Sequence, residues 1–539
     1  METATLISQE TKGMQSPAEW HAVYTHSHTY SGRDDHGGTL QPPENYRRLA
    51  EFCAARQVAA LGMGSPYEPV TAREHAFYEG AGLADYLGGK VNQEELCRRE
   101  LVAEVLRQTN EYSGGRTLFY HDNETPKGRF GHMWWVNYHY DRPPWHDYDQ
   151  YFDQWMVNDA QAGEDRDEPM AYERRAYREI QAIQRAHGAL GFWAHPTSWW
   201  LGGNGQFITN IASEMPAHLA ADGFVDGMVV MGYRAYRPQY LSLWFALLDR
   251  GYRVPGVAEM DGGLSDEKFS RLDTQLLLTR VHREQKFSYG VDVAVAMRSG
   301  RMCVSSGPHI EISVDGVPMG SIARTSGECV HTVEIHAQPA PGQTHLDRIE
   351  LLGHGGCSLF RIEKFPGGTL RLKVRGLTER GYLLAQCFGE GDASRLADFK
   401  SVLGFAVSNP VYLHPPGQSF QRPVMTELQV RLQPDSNLNG ATLRLENERG
   451  ELLELLPAEN GVRAQVPSGG RITAVFPDGR QLTRYLINLH PEIQRLQRYL
   501  YRGRFLRDFP GANKGEVPVA AWNLDDFPKA LQQLELAEI

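Results

Sequence analysis

The sequence has no apolar run near the ~20 residues that a membrane-spanning helix needs. It has no excess of positive charge either: 55 Lys and Arg stand against 66 Asp and Glu, for a net charge of -11. That balance argues against a general affinity for nucleic acid or for an anionic membrane. Cysteine is scarce and scattered. Its six copies (Cys53, Cys97, Cys303, Cys329, Cys357 and Cys387) include no CxxC pair, so neither a zinc ribbon nor a disulfide framework is expected, and the thiols read as reduced in a cytoplasmic setting. The opening "METATLISQETKGMQSPAEW" lacks a basic stretch followed by an apolar one, which predicts no secretory leader. No GxSxG is present, so a serine-hydrolase elbow has no support. "GAGLADYLGG" is rich in glycine but lacks the Lys-Ser/Thr pair of a phosphate loop. A homo-oligomer stays compatible with this composition.

The chain of 539 residues is too long for one core and suggests about three or four domains. Up to about residue 300, short apolar strands alternate with helical patterns. In "AYERRAYREIQAIQRAHGALGFWAHP", Ala176, Ile180 and Ile183 share a helical face, Gly188 can stop the helix, and Leu190 to Ala194 read as a buried strand. "FVDGMVVMGY", "YLSLWFALLDRGY" and "RVPGVAEMD" repeat the strand, helix, strand order. Such repetition predicts parallel strands with crossover helices, closed as a barrel. Residues 301–415 turn to short strands bounded by turns, as in a β-sandwich. The Pro-rich "NPVYLHPPGQSFQRP" reads as a linker. A small β unit is expected over 416–486, and a helical or irregular tail, with Ile493, Leu496 and Leu500 on one helical face, over 487–539.

The chemistry collects at predicted strand ends. "AVYTHSHTYSGRDDHGG" puts His26, His28 and His36 with Asp34 and Asp35 inside eleven positions. Residues i and i+2 of a strand point to one face, so His26 and His28 are placed to share an ion. "FYHDNET" ends a strand at Glu124, "GHM" brings His132, "GFWAHPT" brings His195, and "VPGVAEMDGG" brings Glu259 and Asp261. In a barrel of parallel strands all such ends meet at one face. Histidines with carboxylates bind divalent ions, and a carboxylate can bridge two of them. For any one of these residues a surface histidine or a capping acid is the commoner explanation; for all of them jointly it is not. One or two divalent ions are expected, with zinc, manganese and iron equally compatible.

The order HxH, Glu, GH, AHP and acidic strand end resembles the PHP superfamily of metal-dependent hydrolases. The segment "AMRSGRMCVSSGPHIEISVDGVPMGS" (296–321) and the ending "FAVSNPVYL" (405–413) are similar to CehA/McbA-type metallohydrolases. The likeness spans about the first 415 residues. It implies an α/β fold: a distorted (β/α) PHP-type barrel over 1–300, then an all-β sandwich, then a small C-terminal β/helical region that it does not cover. It further implies that His26, His28 and Asp261 hold one metal, with Glu259 as the alternative to Asp261, that Glu124 bridges, and that His132 and His195 hold a second. The usual DH after the second strand is here Gly64 and Ser65, the usual D-x-H is Asp261-Gly262-Gly263, and Tyr24 replaces the acid before the first histidine. The first two of these losses fall on third-metal ligands, so two metals at most are expected.

The implied activity is hydrolysis of an amide, carbamate or ester bond of a small-molecule substrate by metal-activated water, with Glu124, Asp261 and His36 as catalytic groups. A phosphoesterase and a non-hydrolytic, metal-binding or redox-active descendant are the alternatives. Seven of the ten tryptophans lie between 134 and 200. Trp134, Trp135 and Trp199 follow candidate ligands closely, and either surround a cleft for an aromatic or apolar substrate or pack the barrel. Lys127 and Arg129 either neutralise an anionic group or form an exposed basic turn.

Overall fold

The architecture is that of a computed structural model. It describes residues 5–12, 19–29, 40–64, 99–128, 131–139, 180–196, 199–201, 207–209, 225–232, 238–249, 251–260, 262–263, 278–377, 381–390, 404–417, 426–432, 441–446, 452–458, 461–466, 471–479, 481–485 and 534–538.

The first part contains β1 (Thr5–Lys12), β2 (Trp20–Tyr24), β3 (Ser27–His28), β4 (Val58–Gly64), β5 (Leu118–Gly128), β6 (Gly131–Val136) and β7 (Leu190–Trp193). There follow β8 (Trp199–Leu201), β9 (Phe207–Thr209), β10 (Gly227–Met231), β11 (Gly256–Ala258), β12 (Gly262–Gly263), β13 (Leu278–His282) and β14 (Met302–Ser305). Its helices are α1 (Pro43–Ala55), α2 (Arg99–Ser113), α3 (Pro238–Asp249) and α4 (Gly290–Arg298).

Seven strands lie side by side in the order β11-β10-β7-β6-β5-β4-β2. Alternate residues separate into two cores. Val23, Ala60, Phe192, Val229 and Val257 belong to one, together with Val293 and Met297 of α4. Tyr24, Leu61, Trp193, Met228 and Ala258 belong to the other, together with residues of α1, α2 and α3. Both faces of these strands are therefore buried, which is why they read as continuous apolar runs. The sheet curls so that its ends meet. β12 pairs in parallel with β3, and Thr279 Oγ1 of β13 accepts a hydrogen bond from Ala258 N at 2.9 Å.

One expected feature differs. The strands are not all parallel, because β6 runs antiparallel to both β5 and β7. β5 ends at Gly128 and β6 begins at Gly131, and so short a connection permits only a hairpin.

The next strands are β15 (His309–Val314), β16 (Val317–Pro318), β17 (Ile322–Arg324), β18 (Val330–Gln338) and β19 (Leu346–Leu352). With β20 (Ser358–Phe365), β21 (Gly368–Arg375), β22 (Gly381–Gly389), β23 (Phe405–Ser408) and β24 (Val411–His414) they enclose a third core around Ile310, Ile335, Ile349, Leu372 and Leu383. One layer is the antiparallel sheet β1-β21-β18-β15-β16, so the N-terminal strand pairs here and not with the curled sheet. The other layer continues the curled sheet without a break, from β2 through β13, β14, β23, β22 and β19 to β20.

Near the C-terminus, β25 (Thr426–Leu432), β27 (Leu456–Ala458), β28 (Gly461–Val466) and β31 (Leu534–Glu538) form one sheet, and β26 (Thr442–Glu446), β29 (Arg471–Val475) and β30 (Gln481–Tyr485) another. β31 pairs with β25, so part of the expected helical or irregular tail is a strand. The helical face of Ile493, Leu496 and Leu500 lies outside the described residues.

Candidate metal centre

The cluster forms just past the ends of β2, β7 and β11, where Glu124 inside β5 meets His132 at the start of β6. β2 stops at Tyr24, and the chain turns at His26, whose φ of 56° lies in the left-handed region. His195, just past β7, has a φ of 24°. Backbone of this kind is costly for a residue with a Cβ and persists only where the surroundings enforce it. Here Thr25 Oγ1 donates to Ala258 O at 2.6 Å, and both oxygens of Glu259 accept from His195 N at 3.1 Å. His26 and His28 thus converge because of a turn between β2 and β3, not through the alternation of one strand.

Glu124 is the centre of the cluster. Its Oε1 lies 2.5 Å from His132 Nδ1 and 2.9 Å from His195 Nε2. Its Oε2 lies 3.4 Å from His26 Nε2 and 3.5 Å from His28 Nε2. Each carboxylate oxygen serves a different pair of histidines. The side chain of Glu124 is 2% exposed, His26 and His195 1%, and Glu259 fully buried, while His28 reaches 6% and His132 14%. The cluster is therefore approached from the His132 side.

Among the described residues, three donor sets have ligand atoms within 4.8 Å of one another: His26, His28 and Glu124; Glu124, His132 and His195; and His26, His195 and Glu259. Imidazoles and carboxylates buried together at this spacing are the donor set of a divalent-metal site. The Glu259 side chain makes a second kind of contact: His26 Nδ1 donates to its Oε2 at 2.9 Å. That bond fixes the His26 tautomer and leaves Nε2 directed at the Glu124 side, the way an outer carboxylate orients a ligating histidine. Gly232 makes room for it, since a Cβ there would sit 2.5 Å from Glu259 Oε1.

Asp261, His36, Asp34, Asp35 and Arg129 lie outside the described residues, and the side chains of Lys127 and Trp199 are likewise not described. Trp134 and Trp135 are each 1% exposed, so they pack the interior and do not surround an open cleft. The Trp134 indole stacks on His26, and its Nε1 donates to Asp122 Oδ2 at 3.0 Å. Trp135 belongs to the core beneath the helices. The expectation of an aromatic or apolar substrate rested on these two and on Trp199, and it loses the support of the two. Trp134 also accounts for Gly64, where a Cβ would come within 2.8 Å of the indole.

Asp122 was not anticipated. It is fully buried, accepts from Trp134 and from Asn137 N, and burial pushes its carboxyl well above the usual range. The signal in the sequence was its i, i+2 relation to Glu124 on one strand face.

No protein-family model matches the sequence, and no curated protein matches it. Among solved structures, a two-domain protein from Bacteroides vulgatus, described as containing a predicted PHP-like metal-dependent phosphoesterase, is 13% identical with a TM-score of 0.35, over 75% of this chain and 99% of that one. BcpA, the major pilin subunit of Bacillus cereus, is 14% identical with a TM-score of 0.14, over 34% of this chain and 66% of that one. At these scores neither likeness establishes kinship.

Proposed function

We propose that the chain is a metal-dependent hydrolase of the PHP type, acting on a C–N or C–O bond of a small amide, carbamate or ester. The observation that carries this reading is Glu124, one buried carboxylate whose two oxygens serve two separate histidine pairs. A shared anion in that position offsets the repulsion between two cations. In this reading His26 and His28, with Asp261, would hold one ion, His132 and His195 would hold a second, and Glu124 would serve both. The ions would supply Lewis acidity and lower the pKa of water toward neutrality.

The chain's own residues supply the order. Glu259 holds His26 in one tautomer and ties down the His195 backbone. Trp134 closes the inner side of His26. The partly exposed His132 marks the side from which a small molecule arrives.

The test is metal analysis of the purified protein, followed by turnover of aryl amides, carbamates, esters and phosphate esters. One or two equivalents of a divalent metal with cleavage of a C–N or C–O substrate supports the reading. Cleavage of phosphate esters alone replaces the bond assignment. A fully metal-loaded protein that cleaves none of them overturns hydrolysis.

A further inference from the structure

At the end of the curled sheet opposite the histidine cluster lies a cavity of about 530 Å³. It sits between the starts of β10 and β11, the end of α4 and the second layered region, where Asn409 and Tyr412 form part of its wall. Three arginines line it, from separate segments: Arg185 ahead of β7, Arg253 ahead of β11 and Arg298 at the end of α4. Among its described lining residues Asp226 is the one carboxylate, and it pairs with Arg185 at 2.8 Å. Such a concentration of positive charge is out of keeping with a chain whose net charge is -11.

Each arginine also has a local role. Arg298 lies in the last turn of α4, where a cation offsets the partial negative charge of the helix end. Arg253 lies over the Tyr412 ring, 5.6 Å from its centroid, a packing that orients the guanidinium. Neither role explains why both meet Arg185 around one concavity. The cavity wall is also stiff. Asn409 accepts from Gly256 N at 2.7 Å and donates to Gly256 O at 2.9 Å and to Met302 O at 3.0 Å, which clamps the root of β11 to β14.

We propose that this cavity is a binding site for a small, multiply charged oxyanion of the phosphate class, either inorganic phosphate or a phosphate monoester, held chiefly by Arg253 and Arg298. Planar guanidinium forks match the oxygens of such a group and bind it by charge-assisted hydrogen bonds. The site is independent of the histidine cluster, since Pro255 in the cavity wall and Glu259 in the cluster are four residues apart along a strand, about 13 Å.

The experiment is calorimetric titration of the full chain with inorganic phosphate and, separately, with glycerol phosphate, at constant ionic strength. Saturable binding of one equivalent is expected, weakened about tenfold or more by Arg253→Ala with Arg298→Ala, as two charge-assisted contacts are lost. His132→Ala, at the opposite end, should leave that equivalent in place. Whichever probe binds more tightly identifies the free or the esterified group as the ligand. Both arginines are exposed, so the double variant should fold, and circular dichroism checks this. Absence of saturable binding by either probe, binding indifferent to the two arginines, or binding abolished by His132→Ala would each overturn the proposal.

Discussion

The indole of Trp134 stacks on the imidazole of His26, with ring centroids 4.3 Å apart and planes inclined by 19°. The same indole donates to the buried Asp122 carboxyl. Trp134 therefore links an interior acid to a histidine of the cluster. Trp134→Phe should keep an aromatic face but leave Asp122 without this donor, at a cost of about 1–3 kcal/mol. Metal affinity should fall on the order of tenfold as His26 loses support. Trp134→Ala should cost more stability, about 3–5 kcal/mol, through the void it leaves. Urea denaturation and metal titration of the two variants check this, and Trp134→Phe with unchanged metal affinity would remove Trp134 from the support of His26.

Glu124→Gln keeps the shape of the central side chain and removes its charge. The fold should survive, at least one metal should be lost, and turnover should drop about 10²-fold or more, since metal and electrostatic contributions are worth several kcal/mol. Asp35→Asn, a change at a residue outside the proposed ligand set, should cost much less. Metal content and rate, measured side by side, decide it; two metals and near-normal turnover in Glu124→Gln would make the bridging role wrong.

Glu259 is expected to orient His26, with Asp261 the ligand. Glu259→Gln retains an oxygen to accept from His26 Nδ1, so metal affinity should weaken by about 10–100-fold without loss of an equivalent at saturation. Asp261→Asn should instead lose one equivalent. The reverse pattern in metal-content measurements would exchange their roles.

His121 gives a pH dependence. Burial drives its imidazole down from 6.5 to about 3, against a hydrogen bond to the Tyr138 carbonyl. The folded pKa is depressed, so in the acid range the unfolded chain binds a proton that the folded chain refuses. Stability from this residue is full above pH 6.5 and falls as the pH drops from there toward 3. By pH 5 the loss should be about 2 kcal/mol. Denaturant midpoints at pH 7.5 and 5 should show a smaller loss in His121→Gln than in the parent chain, and equal losses would refute the assignment.

Strand and helix periodicity in the first 300 residues was legible where both faces of a strand are apolar, as in "GMVVM" of β10 and "LGFW" of β7. The gathering of His26, His28, Glu124 and His195 was legible in part, because β2, β5 and β7 run in one direction and carry these residues toward one end, whereas His132 arrives at the start of the antiparallel β6. The antiparallel course of β6 followed from the shortness of its hairpin, a local cue that the repeating pattern outweighed. Pairing of β1 with β21 joins residues some 360 positions apart, and no local preference encodes such a partner.

Residue type and spacing thus picked out on their own several side chains that the fold brings together, among them His26, His28, Glu124, His132 and His195, and roughly where some strands end. Only the tertiary structure decided how those side chains divide their atoms. That Glu124 offers one oxygen to each histidine pair, that Glu259 meets His26 through Nδ1, and that Trp134 lies inside against His26 all depend on ångström-scale approach between segments up to 233 residues apart. Periodicity specifies which face of an element a residue occupies, whereas contact across the fold depends on packing and on the left-handed backbone at His26 and His195, which the surrounding chain imposes.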